Sequence, residues 1–180
     1  MSQTNQKGFT LVEMAIVLVI IGLLLGGVLK GQELIANSKI KATESEIQQW
    51  VAAIYTYQDK RGQLPGDDST ATNKPGNGNG YIDNAERAPF FEHLKDEGLI
   101  KGGYTGAAND YAKSKWGGNI VPYTNVAGLS GVSMCYFGLD KSTATTLDKK
   151  LDDGSGITGS VRNYYRRAYG ATNNIVCFKM

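Results

Sequence analysis

Histidine is almost missing from this 180-residue chain, which carries only His93. A histidine-dependent hydrolase would have to rest on that one side chain, whose place beside an apolar helical pattern suits a surface or packing role. Cysteine is equally sparse: Cys135 and Cys177 stand far apart, a spacing that excludes a zinc signature. Net charge is low, with 19 Lys and Arg against 17 Asp and Glu for a formal +2, so no strongly basic patch points to nucleic acid. Gly128-Leu129-Ser130-Gly131 lacks one residue of a nucleophile elbow, and no phosphate-loop spacing occurs. No residue set with the makings of an active site remains, and an enzyme is not expected.

What the chain does have is one long apolar run. From Phe9 to Leu29 the only ionisable side chain is Glu13, and about 20 apolar residues suffice to cross a bilayer as a helix. A secretory signal would place its cleavage site after such a run. Here the candidate junction, between Gly8 and Phe9, precedes it, so loss of the leader would leave the membrane helix on the mature chain. Lys30, Lys39 and Lys41 follow the run and only Lys7 precedes it, a count that alone would put the C-terminal side in the cytoplasm. The leader junction and the cysteine pair point the other way, to an exported C-terminal region.

A carboxylate in the hydrocarbon region costs about 2.5–3.5 kcal/mol on insertion scales, so Glu13 calls for a partner. Two remain open on spacing alone. One is the α-amino group that cleavage would create at Phe9. The other is the positive end of Glu13's own helix, worth about 0.3–1 kcal/mol.

The stretch Lys7-Gly8-Phe9-Thr10-Leu11-Val12-Glu13 resembles the leader junction of type IV pilins and their secretion-system relatives, the pseudopilins. The resemblance implies that a prepilin peptidase cuts after Gly8 and methylates the new N-terminal Phe9. It also implies that Glu13 meets the amine of a neighbouring subunit and so helps dock each subunit into a helical filament. LPGDD, GNGNGYI and EHLKDEGLI are similar to a recurring middle region of prepilin-like proteins. One departure is Lys30, which stands where many major pilins carry a helix-melting proline. Gly22, Gly26, Gly27 and Gly31 weaken the helix at about 1 kcal/mol each relative to alanine. They would permit close packing in a bundle, or reflect ordinary membrane-helix usage.

Beyond the run, Ile40, Ile47, Trp50, Val51, Ile54 and Tyr55 form a helical stripe. One helix from about Phe9 to Arg61, roughly 80 Å long, is therefore expected, with Gly62 as its stop. Leu64 to Gly80 reads as a loop or turn cluster, and Pro89 to Ile100 as a short helix. Ile120–Tyr123 reads as an edge strand, because Pro122 cannot donate to a ladder. Gly131–Leu139, Val161–Tyr169 and Asn174–Lys179 supply further strands, and Ser142–Leu151 a short helix with Ser142 as its cap. Cys135 and Cys177 in an exported domain point to a disulfide, with two buried thiols as the alternative.

The most suggestive polar cluster follows the long helix. On the calcium-loop template Asn77 takes position three, Asn79 five, Gly80 the sharp turn, Tyr81 a main-chain carbonyl, Asp83 nine and Glu86 twelve. Position one is Pro75, which has no ligand, and Asp67 or Asp68 would have to fold back to replace it. A solvated turn is the alternative. Tyr164, Tyr165, Arg166, Arg167 and Tyr169 interleave aromatics with charge, a pattern shared by single-stranded DNA platforms and by strands with alternating faces.

The fold expected is α+β: a long N-terminal helix packed on a small antiparallel sheet. Residues 1–8 form the leader, 9–29 the transmembrane or filament-core helix and 30–62 its amphipathic half. Residues 63–118 form a loop-rich region with the candidate calcium loop and a short helix, and 119–180 a β-rich region with the disulfide. The expected function is that of a prepilin, the structural subunit of a type IV pilus or type II secretion pseudopilus. The alternative is a membrane-anchored, non-polymerising calcium-dependent binding module. Expected partners are other pilin or pseudopilin subunits, the prepilin peptidase and the bacterial inner membrane, with Ca2+ as a candidate cofactor and nucleic acid not expected. The C-terminal domain would lie outside the cytoplasm before assembly, and in a pilus or periplasmic pseudopilus after it.

Overall fold

A computed structural model describes residues 10–180. Its first element, α1 (Leu11–Arg61), is a single helix of 51 residues. Gly62 ends it at φ +70°, with its N–H bonded to the Gln58 carbonyl at 2.8 Å, the left-handed exit that glycine adopts without strain. The chain divides into two compact units, Met1–Ser38 and Lys39–Met180.

In the first unit the apolar side chains of α1 from Leu11 to Ile35 are exposed on every side. A helix apolar all round is one that lipid or neighbouring helices must cover. It is the helix, among the described residues, long and apolar enough to cross a membrane.

In the second unit, the rest of α1 buries Ile40, Thr43, Ile47, Trp50, Ala53, Ile54 and Tyr57. The stripe is thus rotated slightly from the one the spacing suggested: Tyr55 faces out, Val51 is half-buried, and Ala53 and Tyr57 take their places. Polar contacts explain the choice between neighbouring tyrosines. The Tyr57 hydroxyl donates to Asp68 at 2.7 Å, and its ring stacks on His93. The short helix α2 (Pro89–Asp96) begins on its proline, whose missing N–H would be unbonded there in any case. Its Phe90, Phe91 and Leu94 join Trp50 in the core.

Among the described residues the sheet has five antiparallel strands, β1 (Ala112–Lys113), β2 (Asn119–Thr124), β3 (Val132–Leu139), β4 (Val161–Asn163) and β5 (Asn174–Lys179), in the order β1-β2-β3-β5-β4. One face, with Ile120, Met134, Tyr136, Val176 and Phe178, packs into the core that holds the second half of α1. The other carries Cys135 and Cys177, under Leu129 and flanked by Tyr123, Phe137, Tyr164 and Ile175. These alternations follow from the period of two along a strand. Cys135 and Cys177 face one another across the β3–β5 ladder and are joined by a disulfide.

Four further local expectations differ from the fold. Helix α2 ends at Asp96 and does not run to Ile100. β2 is not outermost, because β1 pairs beyond it, yet that ladder covers only Asn119 and Ile120 and leaves Pro122 without a partner strand on that side. The strand expected over Val161–Tyr169 stops at Asn163, and the chain turns through Arg166 at φ +52°. Helix α3 (Lys141–Leu151) is capped by Asp140, whose carboxylate accepts the Thr143 N–H at 2.9 Å, so Ser142 lies inside the first turn.

Candidate functional site

Gly8 and Phe9, the expected cleavage and methylation positions, lie outside the described residues. Glu13 lies inside them, in the first turn of α1. Its Oε2 accepts the Thr10 N–H and the Thr10 hydroxyl, each at 2.8 Å, and the Thr10 hydroxyl oxygen accepts the Glu13 N–H at 3.2 Å. This reciprocal pair is a capping box. It satisfies main-chain donors at a helix start that would otherwise enter an apolar medium unbonded. The cap at Thr10 has a signal in the sequence, since Thr10-Leu11-Val12-Glu13 matches the T-x-x-E signature of a capping box. Among the described residues no donor reaches Oε1, so an incoming amine could be accepted there without dismantling the cap.

The loop after α1 gathers most of the residues proposed for calcium. Asp67 and Glu86 are buried, and Asn77, Asn79 and Asp83 are exposed. The Asp67 carboxylate accepts the Asn79 N–H at 3.0 Å and the Gly80 N–H at 2.7 Å. Glu86 accepts the N–H groups of Asn77 at 2.9 Å and Asp83 at 2.8 Å. Asp83 receives the side-chain amides of Asn77 and Asn79, at 2.9 and 3.2 Å. Tyr81 enters through its N–H, which donates to the Asn79 side chain at 2.8 Å. Asp67 thus reaches the turn residues that a position-one acid would reach, in place of Pro75. The fold-back requires glycine at position 76, since a Cβ there would sit 2.4 Å from the Asp67 main chain.

Asp68 is committed elsewhere. It accepts from Tyr57 and from Thr70, both N–H and hydroxyl, at 2.7 Å, and from Arg61 Nε at 2.9 Å. Burial alone would raise its pKa, but the bonds from Thr70, Tyr57 and Arg61 outweigh that and hold it well below the usual carboxylate range. Burial and the Asp68 bond push the Tyr57 hydroxyl far up. His93 fixes the other side of this loop: Nδ1 accepts the Gly66 N–H at 2.9 Å, so Nε2 carries the proton and donates to the carbonyls of Asn73 and Lys74. The one histidine therefore packs and staples.

A second acidic group, Asp148, Asp152 and Asp153, places carboxylate oxygens within 4.8 Å of one another at the end of α3. Each is used to stitch the following loop. Asp148 accepts from Gly154 N–H at 2.9 Å and Tyr169 hydroxyl at 2.6 Å, Asp152 from the N–H groups of Ser160 and Val161, and Asp153 from Ser155 N–H and the Thr158 hydroxyl.

Compared with known proteins, the chain matches the prokaryotic N-terminal methylation motif over residues 3–29. That motif is the signature of type IV pilin and pseudopilin precursors, structural proteins processed by prepilin peptidase. No curated protein and no solved structure matches the chain.

Proposed function

We propose that the chain is a prepilin that is cleaved after Gly8, methylated at Phe9 and assembled into the helical filament of a type IV pilus or type II secretion pseudopilus. The observation that carries this reading is the continuity of the methylation motif with α1. The motif leads into a helix whose early apolar side chains are all exposed, whereas its later residues anchor a folded head. Bundling such helices replaces lipid contacts with helix contacts, so the apolar surface stays dry before and after assembly. Glu13 supplies register by accepting the Phe9 amine of a neighbour, and the Thr10 cap holds its carboxylate ready. Before assembly the subunit sits in the inner membrane with its head outside the cytoplasm, and its partners are other pilin or pseudopilin subunits.

Mass spectrometry of the purified chain tests the processing step and should show an N-methylated Phe9. An intact Met1 would instead favour an anchored module that never polymerises, and a cut beyond Leu29 would remove the anchor and overturn the assembly reading as well. Glu13→Ala should insert normally and yield little sheared filament, and wild-type filament yield would count against the assembly role.

A calcium-binding role for the head loop is a second reading, favoured by the position of Asp67 beside the Asn79–Gly80 turn. Asp67, Asn77, Asn79, Asp83, Glu86 and the Tyr81 carbonyl would supply the oxygen ligands that calcium prefers. Titration calorimetry should give calcium heat that Asp67→Asn abolishes. No heat, together with a melting temperature indifferent to calcium, ends this reading.

A further inference from the structure

Where the chain leaves β4, three tyrosine rings form a row. Tyr123 and Tyr164 have centroids 5.4 Å apart, and Tyr164 and Tyr165 5.1 Å apart. An arginine closes each end: the Arg87 guanidinium lies 3.9 Å from the Tyr123 ring, and Arg167 lies 4.9 Å from that of Tyr165. Two more arginines converge beside the row. A Cβ built on Gly128 would stand 3.0 Å from Arg162 Nη1 and 3.3 Å from the Arg166 guanidinium, so the two cations flank one point of main chain. Arg162 is held there by the carbonyls of Gly159 and Gly128, at 2.8 and 3.2 Å. Arg166 is held by a left-handed backbone, φ +52°, that a side chain of this kind adopts seldom.

Like charges gathered in this way call for an anion. Among the described residues none of these four arginines forms an ion pair within 4.0 Å. Arg162 acts on the Asp153 carboxyl only from a distance: that group is lowered chiefly by the Thr158 hydroxyl and to a lesser extent by Arg162. Arg87 Nε is buried, with no hydrogen-bond partner among the described residues. Tyr165 is 58% exposed, with Arg167 against its ring.

We infer that this Tyr–Arg row is a binding surface for single-stranded nucleic acid, with phosphates at Arg162 and Arg166 and a base stacked on Tyr165. Alternating flat rings and guanidinium groups are what a single strand needs, because every base presents a π-face and every linkage a negative charge. The small net charge that argues against a nucleic-acid partner is an average over the chain. It conceals four arginines gathered from residues 87 to 167 by the fold. The surface belongs to the head alone, so the inference does not depend on filament assembly.

The test is fluorescence anisotropy of the full chain in detergent with a labelled oligothymidylate of about 16 nucleotides. Wild type should bind at low salt. Tyr165→Ala, at an exposed position, should weaken binding about tenfold. Arg162→Gln with Arg166→Gln should weaken it further and make the slope of log affinity against log salt shallower by about 1.4, two phosphates at about 0.7 each. No binding at low salt overturns the proposal. So does an unchanged affinity and slope in the double arginine variant, which would place binding elsewhere. If Tyr165→Ala binds like wild type and a heparin fragment competes as well as the oligonucleotide, the surface recognises charge alone and the nucleic-acid assignment falls.

Discussion

The two parts of α1 share one secondary structure and meet opposite demands. From Leu11 to Ser38 the helix buries nothing and exposes its apolar side chains on every face. From Lys39 to Arg61 it buries a stripe at spacings of three and four, and leaves the rest to water. Hydrogen bonding along the helix is the same in both. What differs is where the covering surface comes from: the second part finds it in the sheet and α2 of its own chain, and the first must find it in lipid or in other chains. Composition signals that need early, because an all-round apolar run leaves no side for water.

Substitutions in the two parts should therefore separate cleanly. Trp50→Ala should produce the largest effect, a loss of about 3–5 kcal/mol in head stability, read as a lowered midpoint of chemical denaturation. Leu23→Ala, at an exposed position in the first part, should leave that midpoint unchanged. A comparable loss from both would break the distinction. Next in size is the disulfide, which cross-links residues 42 apart in sequence. Replacing both cysteines with serine should cost about 4 kcal/mol in the chain-entropy account, measured by the same denaturation.

The Asp68 network gives a pH-dependent test confined to the head. Its carboxyl is depressed in the folded state, so it contributes stability that is fully present above its unfolded pKa, about 3.9. That contribution is lost as pH falls through the lower folded value. Melting temperature should thus fall as pH drops below about 4, and Asp68→Asn should flatten that limb. Asp148 acts in the opposite sense, since burial raises its pKa; the stability it contributes is present at low pH and is lost as pH rises through its folded value. An acid limb that Asp68→Asn leaves intact would assign the loss to other carboxylates. The smallest effects belong to the caps. Asp140→Ala should cost the head about 1 kcal/mol, whereas Thr10→Ala should leave head stability untouched while removing both bonds that the Thr10 hydroxyl makes with Glu13.

Much of this was legible in the residues. The apolar run, the long helix ending at Gly62, β3 and β5 follow from periodicity and from glycine. Legibility failed where a distant side chain decides. Tyr57 goes in and Tyr55 out because Asp68 and His93 wait for the former. Val161–Tyr169 alternates like a strand, but β5 pairs with only its first three residues. Asp67 and Asp68 are neighbours of like chemistry, and only their partners, the Asn79–Gly80 turn and Arg61, tell them apart.

The sequence by itself determined the methylation motif over residues 3–29, the membrane-competent helix, its acid at Glu13 and the α+β class. Each rests on local order or on a repeating period, which a chain carries wherever it folds. Only the tertiary structure decided that Asp67 returns to the loop at residues 77–86, that Asp68 belongs to α1, and that Arg87 and Tyr123 meet Tyr164 and Tyr165 in one row. Those juxtapositions join residues tens of positions apart. They exist because one core brings α1, the loops and the sheet together, and no local period encodes them.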